Sequence, residues 1–166
     1  MTGEDLIINR LSRLASVGSY ENLKWNFEEQ LKNDPTVTYA GLSKRAAYLE
    51  NTFYPEILAL FEIGKRRRIN PVSIRGSSAG AFGWPQFLPS SFLKFGVDAN
   101  RDRIVSLFEV ADAVASTANF LHHYGWDDAA PREHARGVLW NYNRSEAYVD
   151  SVLAVAETLS AEATVQ

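Results

Sequence analysis

Arg75-Gly76-Ser77-Ser78-Ala79-Gly80-Ala81-Phe82-Gly83-Trp84-Pro85-Gln86-Phe87-Leu88-Pro89-Ser90-Ser91 breaks a chain whose other segments carry helical periodicity. Glycine loses more backbone entropy than any other residue and proline removes an N–H, so three glycines and two prolines here rule out an ordinary helix or strand. The stretch reads as a shaped surface turn set among helices. A second irregular segment, Asp98 to Glu109, follows at once, and the functional content of the chain concentrates in these two.

Outward from the turn, apolar residues recur at helical spacing. Leu6, Ile7, Ile8, Leu11, Leu14 and Ala15 predict a helix over residues 4–16 that stops at Gly18. A more polar helix is expected over 21–32, where Asn33-Asp34-Pro35 ends it. A long helical region runs from Tyr39 to Arg68, and Pro55 divides it into 41–53 and 55–68, with Ile57, Leu58, Leu60, Phe61 and Ile63 as the buried stripe. Val110, Ala113, Val114, Thr117, Ala118 and Leu121 predict an amphipathic helix over 109–124 that ends at Gly125. Helices over Pro131 to Trp140 and Ser145 to Leu159 complete the set. No segment alternates with period two, so any strands are short and the fold class is all-α. The run Lys65-Arg66-Arg67-Arg68 reads as a solvated face that complements a helix C-terminus.

A length of 166 residues predicts one domain spanning 1–166, and 46% hydrophobic residues allow a sizeable core. The net charge of -3 offers no basic face for nucleic acid. With no cysteine, disulfides, thiolate zinc sites and thiol catalysis are all excluded. No run approaches the ~18 apolar residues of a membrane-spanning helix, and Met1-Thr2-Gly3-Glu4-Asp5-Leu6 lacks the features of a secretory signal. An envelope role therefore calls for a processed start or another export route.

In the second segment, Asp98, Asn100, Asp102, Ser106 and Glu109 occupy positions 1, 3, 5, 9 and 12 of an EF-hand-like loop, with the Ile104 carbonyl at 7. Six or seven oxygens converging from one short turn suit a hard cation, and calcium in a structural role is the expected occupant. Arg103 stands at position 6, where glycine normally makes the sharp turn, so affinity on the weak side is expected.

Gly76-Ser77-Ser78-Ala79-Gly80 also fits G-x-S-x-G, with acidic residues and then His122, His123 or His134 in hydrolase order. That motif works only between a strand and a helix of a parallel sheet, and the chain has no βαβ pattern. His122 and His123, at a helix end, receive no role.

Taken in order, Ile74 to Ala81, Gln86 to Ser91, the 98–109 loop, Asp112-Ala113 through Ala118-Asn119-Phe120, Tyr124-Gly125-Trp126, Tyr142-Asn143-Arg144-Ser145 and Tyr148-Val149 resemble the peptidoglycan lytic transglycosylases of the membrane-bound lytic transglycosylase B type. The resemblance covers most of the chain from about residue 42. It implies a lysozyme-like helical domain acting on peptidoglycan glycan strands in the periplasm or cell envelope. One glutamate would protonate the leaving oxygen and then take the proton of the muramoyl 6-hydroxyl, leaving a 1,6-anhydro ring. It further implies that Ser77 orients that glutamate, that Gln86 contacts the sugar, and that Tyr142 and Asn143 line the cleft. Trp84 and Tyr148 offer faces on which a sugar ring packs, or else belong to the core. The family's catalytic motif, E-[ST]-x-x-G, is not found; residues 2–16 match the segment after it, which places the glutamate before Met1. Glu21, Glu28, Glu29 and Glu50 are the stand-ins within the chain. Two functions remain open: a lytic transglycosylase, and a non-catalytic peptidoglycan-binding module derived from one.

Overall fold

Backbone pairing, not apolar spacing, decides how the chain starts. The computed structural model describes residues 3–67 and 69–164. Within it β1 (Asp5–Leu6) pairs antiparallel with β2 (Arg75–Gly76), Asp5 opposite Gly76 and Leu6 opposite Arg75. The Ile7 N–H donates to the Ile74 carbonyl at 3.0 Å. The first helix, α1, therefore spans Ile7–Ala15, later than the expected start at residue 4, because the N–H groups before it are engaged by the 74–76 segment.

α2 (Tyr20–Leu31) is capped by the Ser19 hydroxyl, which accepts from the Asn22 N–H. α3 is a single helix, Tyr39–Arg67, with Pro55 inside it. The expected division at Pro55 is thus corrected. An internal proline costs about 3 kcal/mol, and the packing of the helix outweighs that: Leu60 and Ile63 are fully buried, and α1 and α4 both pack against α3. The buried face is Glu56-Leu60-Ile63, whereas Leu58 and Phe61 of the expected stripe lie exposed. Lys65 and Arg66 pair with Glu62 at 4.0 and 2.7 Å, as a solvated face requires; Arg68 lies outside the described residues.

The chain forms two compact units, residues 1–116 and 117–166, with the boundary inside α5 (Val110–His123). The core of the first contains Ile7, Leu11, Leu60, Ile63, Phe92 and Leu107. The short helix α4 (Pro89–Phe95) ends the small-residue turn and was not expected from the sequence. Pro89 opens it, Phe92 and Phe95 are buried, and their rings meet Phe82 and Phe87 edge-on at 5.5 and 6.4 Å. In the second unit α6 (Arg132–Tyr142) packs on α7 (Glu146–Thr164) through Leu139, Val149 and Leu153. The Arg136 guanidinium joins the two helices by pairing with Asp150 and Glu146.

Two buried carboxylates hold the irregular segments. Glu56 of α3 accepts from the Ser90 N–H at 2.8 Å through one oxygen and from the Ser90 hydroxyl at 2.6 Å through the other, which anchors the start of α4. Asp112 of α5, fully buried, accepts from the N–H groups of Ala99 at 2.9 Å and Ser106 at 2.8 Å, and from that of Asn100. Burial alone pushes the Asp112 carboxyl up, but the three N–H donors together hold it below the ordinary carboxylate range. Ser116, one turn on, accepts from the Val97 N–H at 3.0 Å. The inward face of α5 in this unit is therefore Asp112-Ala113-Ser116, while Val110 and Val114 of the expected stripe are exposed.

Removing either carboxylate leaves buried donors without partners. Asp112→Ala should cost about 3–5 kcal/mol and Glu56→Ala about 2–4 kcal/mol, since charged hydrogen bonds contribute more than neutral ones and orphaned donors add their desolvation penalty. Glu56→Gln should recover most of the loss, because a carboxamide both accepts from the Ser90 N–H and donates to its hydroxyl. Urea unfolding of the three variants checks the order, and an Asp112→Ala protein as stable as wild type would contradict it.

Candidate functional site

The small-residue turn folds into a ladder of short bridges. The Ser77 N–H donates to the Ala81 carbonyl at 2.7 Å, the Gly80 N–H returns to the Ser77 carbonyl at 3.0 Å, and the Ser77 hydroxyl accepts from the Ala81 N–H at 3.2 Å. Phe82 bridges Gly76 on one side and Phe87 on the other, so Ser77 and Gln86 flank one bridged strip of backbone. Gly80 has φ +81°, and a Cβ there would lie 2.4 Å from Leu11. Only glycine satisfies both constraints. Gly3 lies directly against Gly76 and Ser77, where a Cβ would meet the Gly76 carbonyl oxygen at 2.0 Å.

Between Phe82 and Phe87 the chain makes a tight loop whose last residue, Gln86, has φ 53°. A side-chain-bearing residue in the left-handed region is uncommon and persists where its surroundings over-determine it. Here they do: the Gln86 N–H donates to the Gly83 carbonyl at 3.2 Å and its side-chain Nε2 to the same oxygen at 2.8 Å. Trp84, 64% exposed, is fastened at both ends of the residue. Its N–H donates to the Leu107 carbonyl at 2.8 Å and its indole N–H to the Phe108 carbonyl at 3.1 Å. The result is an exposed carboxamide beside a fixed indole ring. Trp84 is thus a surface group, not a core one.

The 98–109 loop has the hydrogen bonding of a preformed turn. Asp98 Oδ2 accepts from the Arg103 N–H at 2.8 Å, Asn100 Oδ1 from the Asp102 N–H at 3.0 Å, and Asp102 Oδ1 from the Ile104 N–H at 2.7 Å. Arg103 takes φ 73°, the left-handed conformation that glycine would supply at this position, and Arg101 takes φ 63°. Asp98 Oδ1 is buried with no hydrogen-bond partner among the described residues, an oxygen that suits a cation. Asn100 also donates to Asp102 Oδ2 at 3.1 Å. Among the described residues no three His, Asp or Glu side chains form a ready metal cluster, so Glu109 is not gathered with Asp98 and Asp102. The donor set fits a hard cation at the Asp98 end of the loop.

Tyr142 and Asn143 belong to the second unit. The Tyr142 ring stacks on Tyr148 at 6.2 Å with 6° between planes and meets Phe120 edge-on at 4.9 Å. Burial pushes the Tyr142 phenol well up, and Thr117 is its hydrogen-bond partner, so it remains a neutral hydroxyl throughout the physiological range. Asn143 caps the C-terminus of α6 in an extended conformation and is exposed.

Among the carboxylates weighed from sequence, Glu28 and Glu29 pair with Lys24 and Lys32, at 4.0 and 2.5 Å, and Glu21 and Glu50 are exposed on α2 and α3. Among the described residues, none of the four is a hydrogen-bond partner of Ser77. Sequence reasoning missed Glu56, the buried glutamate. Its signal was present in the spacing 56, 60, 63, which puts it on the same helix face as two core residues. The three histidines enter no site: His134 contacts the Gly125 carbonyl at 2.6 Å, and His123 meets the Tyr124 ring edge-on.

With this geometry described, comparison places the chain among known proteins. A family model, the transglycosylase SLT domain, matches residues 31–136. The membrane-bound lytic murein transglycosylase B of Escherichia coli (strain K12) is 34% identical over 83 residues, which cover 50% of this chain and 22% of that protein. The soluble lytic transglycosylase SltB1 of Pseudomonas aeruginosa superposes with a TM-score of 0.72 at 20% identity, covering 98% of this chain and 65% of that one. The Escherichia coli lytic transglycosylase Slt35, in a structure containing calcium, gives 0.54 at 24% identity over 78% of this chain and 33% of its own. SltB3 of Pseudomonas aeruginosa, in complex with NAG-NAM-pentapeptide, gives 0.52 at 24% identity over 78% of this chain and 27% of its own. At such identities the superpositions establish the lysozyme-like helical fold, and the chain spans only a fraction of the length of these relatives. The family match covers more than half of the chain, and the chain belongs to the transglycosylase SLT domain family.

Proposed function

We propose that the chain is the glycan-binding part of a peptidoglycan lytic transglycosylase, working in the periplasm or cell envelope on strands of alternating N-acetylglucosamine and N-acetylmuramic acid. The observation that carries this reading is the pairing of an exposed carboxamide, Gln86, in a left-handed conformation with an indole, Trp84, fixed by hydrogen bonds to the next loop. Acetylated sugars present amides, hydroxyls and an apolar ring face, and these two side chains complement all three. Ser77, in the first unit, and separately Tyr142 and Asn143, in the second, are the other substrate-contacting residues of this proposal.

In the reaction, a carboxylic acid donates its proton to the glycosidic oxygen as the bond from the muramoyl carbon breaks. The same group, now a carboxylate, removes the proton of the 6-hydroxyl, whose oxygen closes the anhydro ring, so no water enters the product. The acid is not assigned to Glu21, Glu28, Glu29 or Glu50, which lie on α2 and α3 exposed or paired with lysines. Ser77, in the turn against which Gly3 lies, is the residue assigned to orient the acid. Glu56 is not that acid, because both its oxygens are committed to Ser90 in the interior. That commitment favours a second reading, a binding module without chemistry of its own.

Digestion of purified peptidoglycan, with mass spectrometry for 1,6-anhydromuramoyl products, separates the two. A version extended upstream to carry an E-[ST]-x-x-G motif should release them, and residues 1–166 alone should be slower by about 10² or more, the usual contribution of acid-base help. Release by residues 1–166 at the rate of the extended version would assign the acid to this chain.

Gln86→Gly removes the carboxamide while supplying the residue that prefers φ 53°. Stability should be unchanged or higher and affinity for chitotetraose or a muropeptide about tenfold lower, the worth of about one good hydrogen bond to a buried partner. Calorimetry showing unchanged affinity would move the sugar site elsewhere.

The loop is assigned to calcium, held by Asp98, Asn100, Asp102 and the Ile104 carbonyl, with Glu109, which is not gathered with them in this structure, drawn in on binding; the ion would neutralise the loop carboxylates and stiffen the segment that anchors Trp84. Millimolar calcium should raise the melting temperature, and Asp98→Ala should abolish the rise, because an ion bound only to the folded state stabilises it by mass action. No shift in the wild-type chain would remove calcium from this assignment.

A further inference from the structure

Away from the small-residue turn, α1, α2 and α3 enclose a pocket of about 270 Å³. We propose that it binds a short extended peptide carrying a free carboxylate. The site shares no residue with the glycan site and does not depend on that assignment.

Three carboxamides, Asn22, Asn26 and Gln30, line one wall at positions i, i+4 and i+8 of α2, so they form a ladder along one helix face. Neighbouring rungs stand about 5–6 Å apart at their Cβ atoms. An extended peptide turns groups to the same side every second residue, at roughly 6.6 Å intervals. From Asn22 to Gln30 the helix advances about 12 Å, at ~1.5 Å per residue, which matches about four residues of extended chain. A carboxamide donates and accepts at once, so it can satisfy both the N–H and the C=O of a peptide group. Asn22 Nδ2 is occupied by the Ser16 carbonyl at 2.8 Å, whereas Asn26 and Gln30 have no side-chain partner among the described residues.

Arg13 from α1 and Arg45 from α3 also line the pocket. Neither forms an ion pair among the described residues, and no carboxylate lines the pocket, so the lining is cationic. Arg13 lies in the last turn of α1, where a cation also complements the helix end. Arg45 has no such reason for its place, since it sits in the second turn of a helix that continues to Arg67. Guanidinium is the side chain best shaped for a carboxylate, which it can hold through two parallel hydrogen bonds. Trp25, 63% exposed, lines the same pocket and gives an apolar side chain of the peptide a surface to lie on.

Amide-resolved NMR titration tests the proposal with two tetrapeptides, a peptidoglycan stem L-Ala-γ-D-Glu-diaminopimelate-D-Ala and an all-L Ala-Glu-Lys-Ala, each also prepared with every carboxylate amidated. Shifts are expected over Asn22 to Gln30 and around Arg45. Amidation of the peptide, and separately the double substitution Arg13→Gln with Arg45→Gln, should each weaken binding about tenfold or more, the loss of a charge-assisted pair. Tighter binding of the stem identifies the cell wall as the source, and equal or tighter binding of the all-L peptide identifies a protein segment. Shifts scattered over the surface, or affinity indifferent to amidation, overturn the proposal even if the double variant fails to fold. Gln86→Gly should bind the peptide as wild type does, so failure of the glycan assignment would leave this result readable.

Discussion

The carboxylate of Asp112 is the constraint on which the irregular half of the first unit depends. A loop that leaves regular structure must find partners for its buried N–H groups, and Asp112 supplies them for Ala99, Asn100 and Ser106 from one fully buried side chain. The loop so fastened presents the Leu107 and Phe108 carbonyls, and these in turn hold Trp84. Glu56 does the equivalent work on the other side of the turn by anchoring Ser90. A chain of fixed contacts thus runs from two helices, through two buried anions, to the exposed pair Trp84 and Gln86.

This arrangement explains why polar residues sit where a helical wheel would place apolar ones. Asp112 and Ser116 on α5 and Glu56 on α3 face inward because their task is to satisfy backbone, and a buried charge is tolerated only when fully hydrogen-bonded. Asp98 Oδ1 is the exception, a buried oxygen without a partner among the described residues. Its environment differs from that of Asp112 in a way that suits an ion. The same economy applies to Gln86 and Arg103, whose left-handed backbones are held by hydrogen bonds on either side.

The helices were largely legible in the sequence. The break at Asn33-Asp34-Pro35 and the stop at Gly125 act through neighbouring residues alone, and the structure has α2, the start of α3 and α5 within a residue or two of expectation. Motif spacing likewise marked the turn around Ser77 and Gln86 and the loop at 98–109. What failed were inferences that need knowledge of distant partners. Pro55 did not divide α3, α1 began late, α4 was overlooked, and the buried faces of α3 and α5 were misjudged by including Leu58, Phe61, Val110 and Val114.

The sequence by itself determined the class of fold, the order of the helices and the two places where the chain had to leave them, because periodicity, caps and breakers act over a few residues. Only the tertiary structure decided which glutamate is buried, which aspartate holds the loop, that Trp84 is pinned at the surface, and that two arginines and a carboxamide ladder line one pocket. Each of these depends on residues far apart in the chain meeting at hydrogen-bonding distance, as Glu56 meets Ser90 across 34 positions and Trp84 meets Phe108 across 24. No local pattern encodes such a meeting; it follows from the way α1 and α4 close on α3.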